Sequence, residues 1–133
     1  AILDRLDAYD QELARRRQMA KLYRDAIEGV RHPIQAGGIR NPSFSIYPVL
    51  FESREQRDKA QAALTKAGLW SRVYYPAPLH LQPAFGHLGY KRGSLPRAER
   101  AAETILALPM DAEASRIENI ERVVKVIGEV VGK

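Results

Sequence analysis

The chain has 133 residues, one domain's worth, with a formal net charge of +5 and no cysteine. The lack of cysteine excludes disulfides, thiol catalysis and zinc sites built on thiolates, and fits a reducing compartment such as the cytoplasm. The basic balance favours anionic partners, while no apolar run approaches transmembrane length and no stretch reads as a signal peptide.

From the start, Ile2, Leu6, Tyr9, Leu13, Ala20, Tyr23 and Ile27 recur at helical spacing and mark one face. Arg16 interrupts the stripe and can lay its methylenes along it. The spacing predicts a helix over 1–29, closed by Gly29 and roughly 40 Å long. One face of a domain this size does not need that length, so part of the helix is expected to pack on something outside the chain. The chain opens on Ala1 rather than Met, already in helical phase, which suggests that an upstream segment has been cut away. Arg15-Arg16-Arg17 reads as a solvated helix face, with a nucleic-acid patch as the alternative.

RHPIQAGGIRNPS then reads as a loop, and FSIYPVLF as a strand near a sheet edge, because Pro48 cannot donate to a ladder. Ser53 with Gln56 is a capping-box pattern; Ala60, Leu64 and Ala67 form the buried face of the helix it opens, and Gly68 ends it. LWSRVYY reads as a second strand, completing an α/β unit. The span from Pro76 to Gly93 has no periodicity, and long loops of this kind are often functional. Ser94 is expected to cap a helix with Pro96 in its first turn, buried through Ala98, Ala101, Ala102, Ile105 and Leu106. LALPM is a short extended piece. Ser115 with Glu118 opens a last helix through Ile117, Ile120, Val123, Val124, Ile127 and Val131, closed by Gly132.

No motif for a nucleophile elbow, a Walker loop or a dinucleotide fold is present, and His32, His80 and His87 lack metal-ligand spacing. AGG at 36–38 is too short for a phosphate cradle. GHLGYKRGS could touch a phosphate through N–H groups and charge, or be a solvated basic loop. The best candidate is YYPAPLHLQ at 74–82. Pro76 and Pro78 hold the backbone extended, so Leu79 and Leu81 share one side as anchors, and His80 and Gln82 the other. An imidazole and an amide suit hydroxyls and phosphate oxygens, or simply satisfy loop carbonyls.

The run VYYPAPLHLQPAFGHLGYKRGSLPRAERAAETILALPMDAE carries Y-P-x-P-L-H-L-Q-P-A, then L-G-Y, P-x-A-E and L-x-L-P-M. It resembles the C-terminal part of the DegT/DnrJ/StrS family, pyridoxal-phosphate-dependent aminotransferases of nucleotide-linked keto-sugars. LDRLDAYDQELARRRQMAKLYRDAI resembles the helix linking that family's large and small domains. The resemblance covers essentially the whole chain but only the last third or so of a family member.

The resemblance implies an α/β (α+β) small domain of a fold-type-I aminotransferase. It comprises a long N-terminal linking helix at 1–29 and a body at 44–133 with a small, mostly antiparallel sheet and flanking helices. It implies a homodimer in which the large domain holds the Schiff-base lysine and most cofactor contacts, and the small domain closes the sugar site. By carry-over His80 lies near the sugar, with Tyr75 and Gln82 supporting it. Tyr47 matches the tyrosine of the first small-domain strand. Ser45 and Tyr74 stand where the family often has histidine. Pyridoxal chemistry needs a lysine amine, a carboxylate on the ring nitrogen and a phosphate cup. No catalytic or cofactor-binding residue of that kind is identified here, so the isolated chain is expected to be inactive. The substrate-binding set is His80, Tyr75, Gln82, Tyr74 and Tyr47, with a nucleotide sugar as ligand, the large domain as partner, no metal and no membrane.

Rival readings are a sugar-nucleotide dehydratase of the same family, a stand-alone basic module binding nucleic acid or an anionic ligand, and an interaction domain using the first helix's stripe. Against the nucleic-acid reading stand few aromatics and no recognition-helix pattern.

Overall fold

A computed structural model of the chain describes residues 6–33, 42–110 and 117–132. The elements are α1 (Leu6–Ala26), β1 (Tyr47–Leu50), α2 (Arg54–Lys66), two 3-10 helices (Leu79–Leu81 and Pro83–Leu88), α3 (Pro96–Thr104), β2 (Ile105–Leu108) and α4 (Ile117–Val131). The fold is helix-rich α+β around one small antiparallel sheet. The predicted start of the first helix at Ile2, the AGG at 36–38 and the Ser115 cap lie outside the described residues.

β1 and β2 pair antiparallel, Tyr47 opposite Leu108 and Val49 opposite Leu106. Pro48 faces Ala107, and the ladder explains why a proline fits there. Both backbone groups of Ala107 turn away to Arg72, at 2.7 and 3.2 Å, so that pair exchanges no hydrogen bonds and Pro48 forfeits none. On the other edge of β1, Leu50 exchanges two 2.9 Å bonds with Arg31. Tyr47, Val49 and Phe51 consequently face the core.

The second strand expected over 69–75 is reduced to the single bridge at Arg72. The chain leaves the ladder after that residue to enter the proline loop. Ile105 and Leu106 belong to β2 and not to the third helix. α3 stops at Thr104, whose hydroxyl donates back to the carbonyl of Arg100, and the following residues pair with β1.

The helices close the core. Met19, Ala20, Tyr23 and Ile27 of the first helical stretch, Ala60 and Leu64 of α2, and Ile120, Val123 and Ile127 of α4 are all buried. Ala67, expected on the buried face of α2, is half-buried at its C-cap. The N-terminal part of the predicted α1 stripe does not share in this: Tyr9 is 53% exposed. Ser53 caps α2 as its sequence requires, accepting from the N–H of Gln56 at 3.1 Å. Gln56 reaches back to the N–H of Glu52, one residue before the cap. Arg57, missed by pattern reading, is buried in α2 and bonds Asp58 and the carbonyl of Ile105. Ser94 does not cap α3. Leu95 holds that position, and the Ser94 hydroxyl accepts from the N–H of Lys91. Among the described residues no helix is long and apolar enough to cross a membrane.

Candidate functional site

The proline loop is not extended throughout. Pro78, at φ −66 and ψ 145, opens a 3-10 turn in which Leu81 and Gln82 donate to the carbonyls of Pro78 and Leu79, both at 3.0 Å. Gln82 ends that turn and starts the next, and Gly89, at φ 74, closes the second. Proline suits such openings because the first turn needs no donor from it.

With three residues per turn, consecutive side chains diverge by a third of a circle instead of alternating. The expected split into leucine anchors and polar neighbours is therefore corrected. Leu79 is 65% exposed, whereas His80 is 8% exposed and is itself the anchor. Leu81 and Gln82 are half-buried.

His80 lies at one wall of a cavity of about 500 Å³. The proline loop supplies Tyr74, Tyr75 and Leu79, the second 3-10 helix Phe85 and Leu88, and the loop beyond it Tyr90. α3 contributes Ala98, Ala101 and Ala102, whose short side chains leave the floor open. Tyr90 meets His80 edge to face with centroids 6.0 Å apart, and Tyr74 meets Tyr75 similarly at 5.6 Å. The lining is aromatic and aliphatic, with the imidazole and the tyrosine hydroxyls as its polar side-chain groups.

Glu99, in the first turn of α3, fixes this arrangement. Its Oε1 accepts from His80 Nε2 at 3.1 Å, Gly93 N at 2.8 Å and Leu95 N at 3.3 Å, and its Oε2 lies 2.9 Å from Gly93 N. The Gly93 N–H above all, and then the His80 and Leu95 contacts, hold its carboxyl below the usual range against the opposing effect of burial. Glu99 thus ties the loop at Gly93 and the N-cap residue Leu95 to the first turn of α3, while no side chain caps the helix itself. The helix-start acid in P-x-A-E was the available signal, but only its partner geometry reveals the role.

Of the residues singled out from sequence, the cavity brings together His80, Tyr75 and Tyr74. Gln82 joins the two 3-10 helices and does not line it. Tyr47 lies elsewhere, fully buried in the core, its hydroxyl 3.0 Å from His32 Nδ1. Burial pushes that hydroxyl's pKa up, with Arg24 opposing. The GHLGYKRGS loop has its Gly93 N–H occupied by Glu99, and its Arg92 pairs with Glu103 at 3.3 Å. In the arginine run, Arg16 pairs with Glu12 at 3.0 Å and Arg17 bonds the carbonyl of Pro42. Among the described residues the cavity lining offers no lysine amine and no carboxylate, so it does not fit pyridoxal phosphate by itself.

The sequence profile of the DegT/DnrJ/EryC1/StrS aminotransferase family matches residues 1–128. A pleiotropic regulatory protein of Geobacillus stearothermophilus is 51% identical over 74 residues, 56% of this chain and 20% of that protein. A dTDP-3-amino-3,4,6-trideoxy-alpha-D-glucose transaminase of Micromonospora megalomicea is 30% identical over 97% of this chain and 34% of its own length. The crystal structure of a DegT DnrJ EryC1 StrS aminotransferase from Brucella abortus superposes with a TM-score of 0.83 at 30% identity, over 98% of this chain and 34% of that one. The chain therefore spans about a third or less of these relatives.

Proposed function

Because the chain belongs to the DegT/DnrJ/EryC1/StrS aminotransferase family, we propose that it is the C-terminal small domain of an enzyme that aminates nucleotide-linked keto-sugars. The family's aminotransferases depend on pyridoxal phosphate. In this reading the cofactor and its lysine belong to a large domain outside the chain, and the complete enzyme is a cytoplasmic homodimer. The bound cofactor supplies the electron sink for amino transfer.

The observation that carries the reading is the aromatic cavity with one buried imidazole in its wall. A sugar presents apolar C–H faces and hydroxyl edges. Tyr74, Tyr75 and Tyr90 offer flat apolar surface for the faces, and His80 offers a fixed polar atom for an edge. The loop that carries His80 forms one side of the open cavity. Members that are dehydratases differ in a residue outside this chain, so product analysis separates the two activities.

The test is His80→Ala in the complete enzyme. The KM for the keto-sugar nucleotide should rise about tenfold, the loss of one hydrogen bond, while the half-reaction with the amino donor is unchanged. Unchanged kinetics with the keto-sugar would remove the cavity from the account.

A further inference from the structure

The carboxylate behind His80 belongs to the half-buried Glu99. His80 and Glu99 are both largely inaccessible, their side chains 6% and 11% exposed. A carboxylate only accepts hydrogen bonds, so the imidazole nitrogen 3.1 Å from it, Nε2, carries the proton. In neutral histidine the other nitrogen is then a bare acceptor. Nδ1 makes no hydrogen bond within the described residues, yet it is not sealed in. Among the described residues Ser71 Oγ is the side-chain polar atom that is both fully buried and without a partner, and His80 Nδ1 is not in that state. His80 itself lines the cavity, and Tyr90 meets its ring edge to face.

We propose that Glu99 is a positioning residue that locks His80 with Nε2 protonated and presents the bare Nδ1 to the cavity, as an acceptor for a hydroxyl or amine hydrogen of the ligand. The carboxylate is suited to this because it is itself held. The N–H groups of Gly93 and Leu95 fix its plane from the loop and the helix start. The preference that follows is for a ligand with a hydrogen-bond donor at that wall. An ether or carbonyl oxygen placed there would face a lone pair and bind worse. The inference rests on the cavity being the ligand site, but the lock itself needs no ligand to be seen, so the two can fail separately.

The test is nitrogen NMR of the chain with labelled histidine, above the ordinary histidine titration range. His87, in an exposed segment, serves as the internal reference. His80 should show a water-protected Nε2–H and an unprotonated Nδ1, while His87 shows rapid exchange and averaged nitrogen signals. In Glu99→Ala the His80 Nε2–H signal should vanish and its two nitrogens move toward the His87 pattern. A wild-type His80 that behaves like His87, or that carries its proton on Nδ1, would overturn the proposal. So would an alanine variant that keeps the wild-type pattern. If that variant does not fold, the wild-type comparison of the two histidines decides alone.

Discussion

The hydroxyl of Tyr23 donates to the carbonyl of Pro109 at 3.0 Å, joining positions 86 residues apart in the chain. Tyr23 is fully buried and packs on Tyr47 with centroids 5.5 Å apart, so α1 is tied both to β1 and to the segment that leaves β2. Tyr23→Phe keeps the ring and strands a buried carbonyl. It should cost about 1–2 kcal/mol in urea denaturation. An unchanged midpoint would show that water or movement replaces the bond.

Gly29 follows α1 at φ 76, a left-handed conformation that side chains resist. A Cβ there would also lie 3.0 Å from a methyl of Val131 at the end of α4. Gly29→Ala should therefore destabilise by about 1–3 kcal/mol. In a Val131→Ala background the penalty should shrink without disappearing, because the methyl is removed but the left-handed backbone and the 3.1 Å approach of the residue 131 Cβ remain. Full relief would assign the whole cost to packing.

Tyr47 matches a family tyrosine, but its hydroxyl bonds His32 in the core and its ring does not reach the cavity. Tyr47→Phe should lower stability by about 1 kcal/mol and leave ligand affinity at the wild-type value, measured by calorimetry. Weakened binding with unchanged stability would place this hydroxyl in the site after all.

The carboxyl of Glu99 lies below its ordinary value of 4.5, chiefly through the Gly93 N–H. A group whose folded pKa is depressed stabilises fully above its unfolded value, and that contribution is lost as pH falls through the folded one. The stability gap between wild type and Glu99→Gln should thus be greatest near neutrality and narrow below pH 4.5. A gap that stays constant into acid would mean that the charge is irrelevant to the fold.

These outcomes also mark where the chain could be read in advance. Period and punctuation located α2 and α4, because Ser53, Gly68 and the spacing of Ile120, Val123 and Ile127 act locally. YYPAPLHLQ stood out in the sequence as a candidate site, and Tyr74, Tyr75, Leu79 and His80 of it line the cavity, but their orientation was not legible. Two prolines are compatible with an extended path and also with the start of a 3-10 turn, and tertiary packing of His80 against Glu99 accompanies the second. Ile105 and Leu106 continue a helical pattern as well as a strand, and pairing with β1, more than 50 residues earlier in sequence, decides between them. Glu99 escaped notice because its role depends on a loop folding back over it.

The central claim is that this chain is one part of a larger sugar aminotransferase. It is tested most directly by the intact mass of the protein recovered from its source cells through a C-terminal tag. The account predicts a polypeptide in the size range of relatives such as the Micromonospora transaminase, of which this chain spans 34%. A product of 133 residues would contradict it.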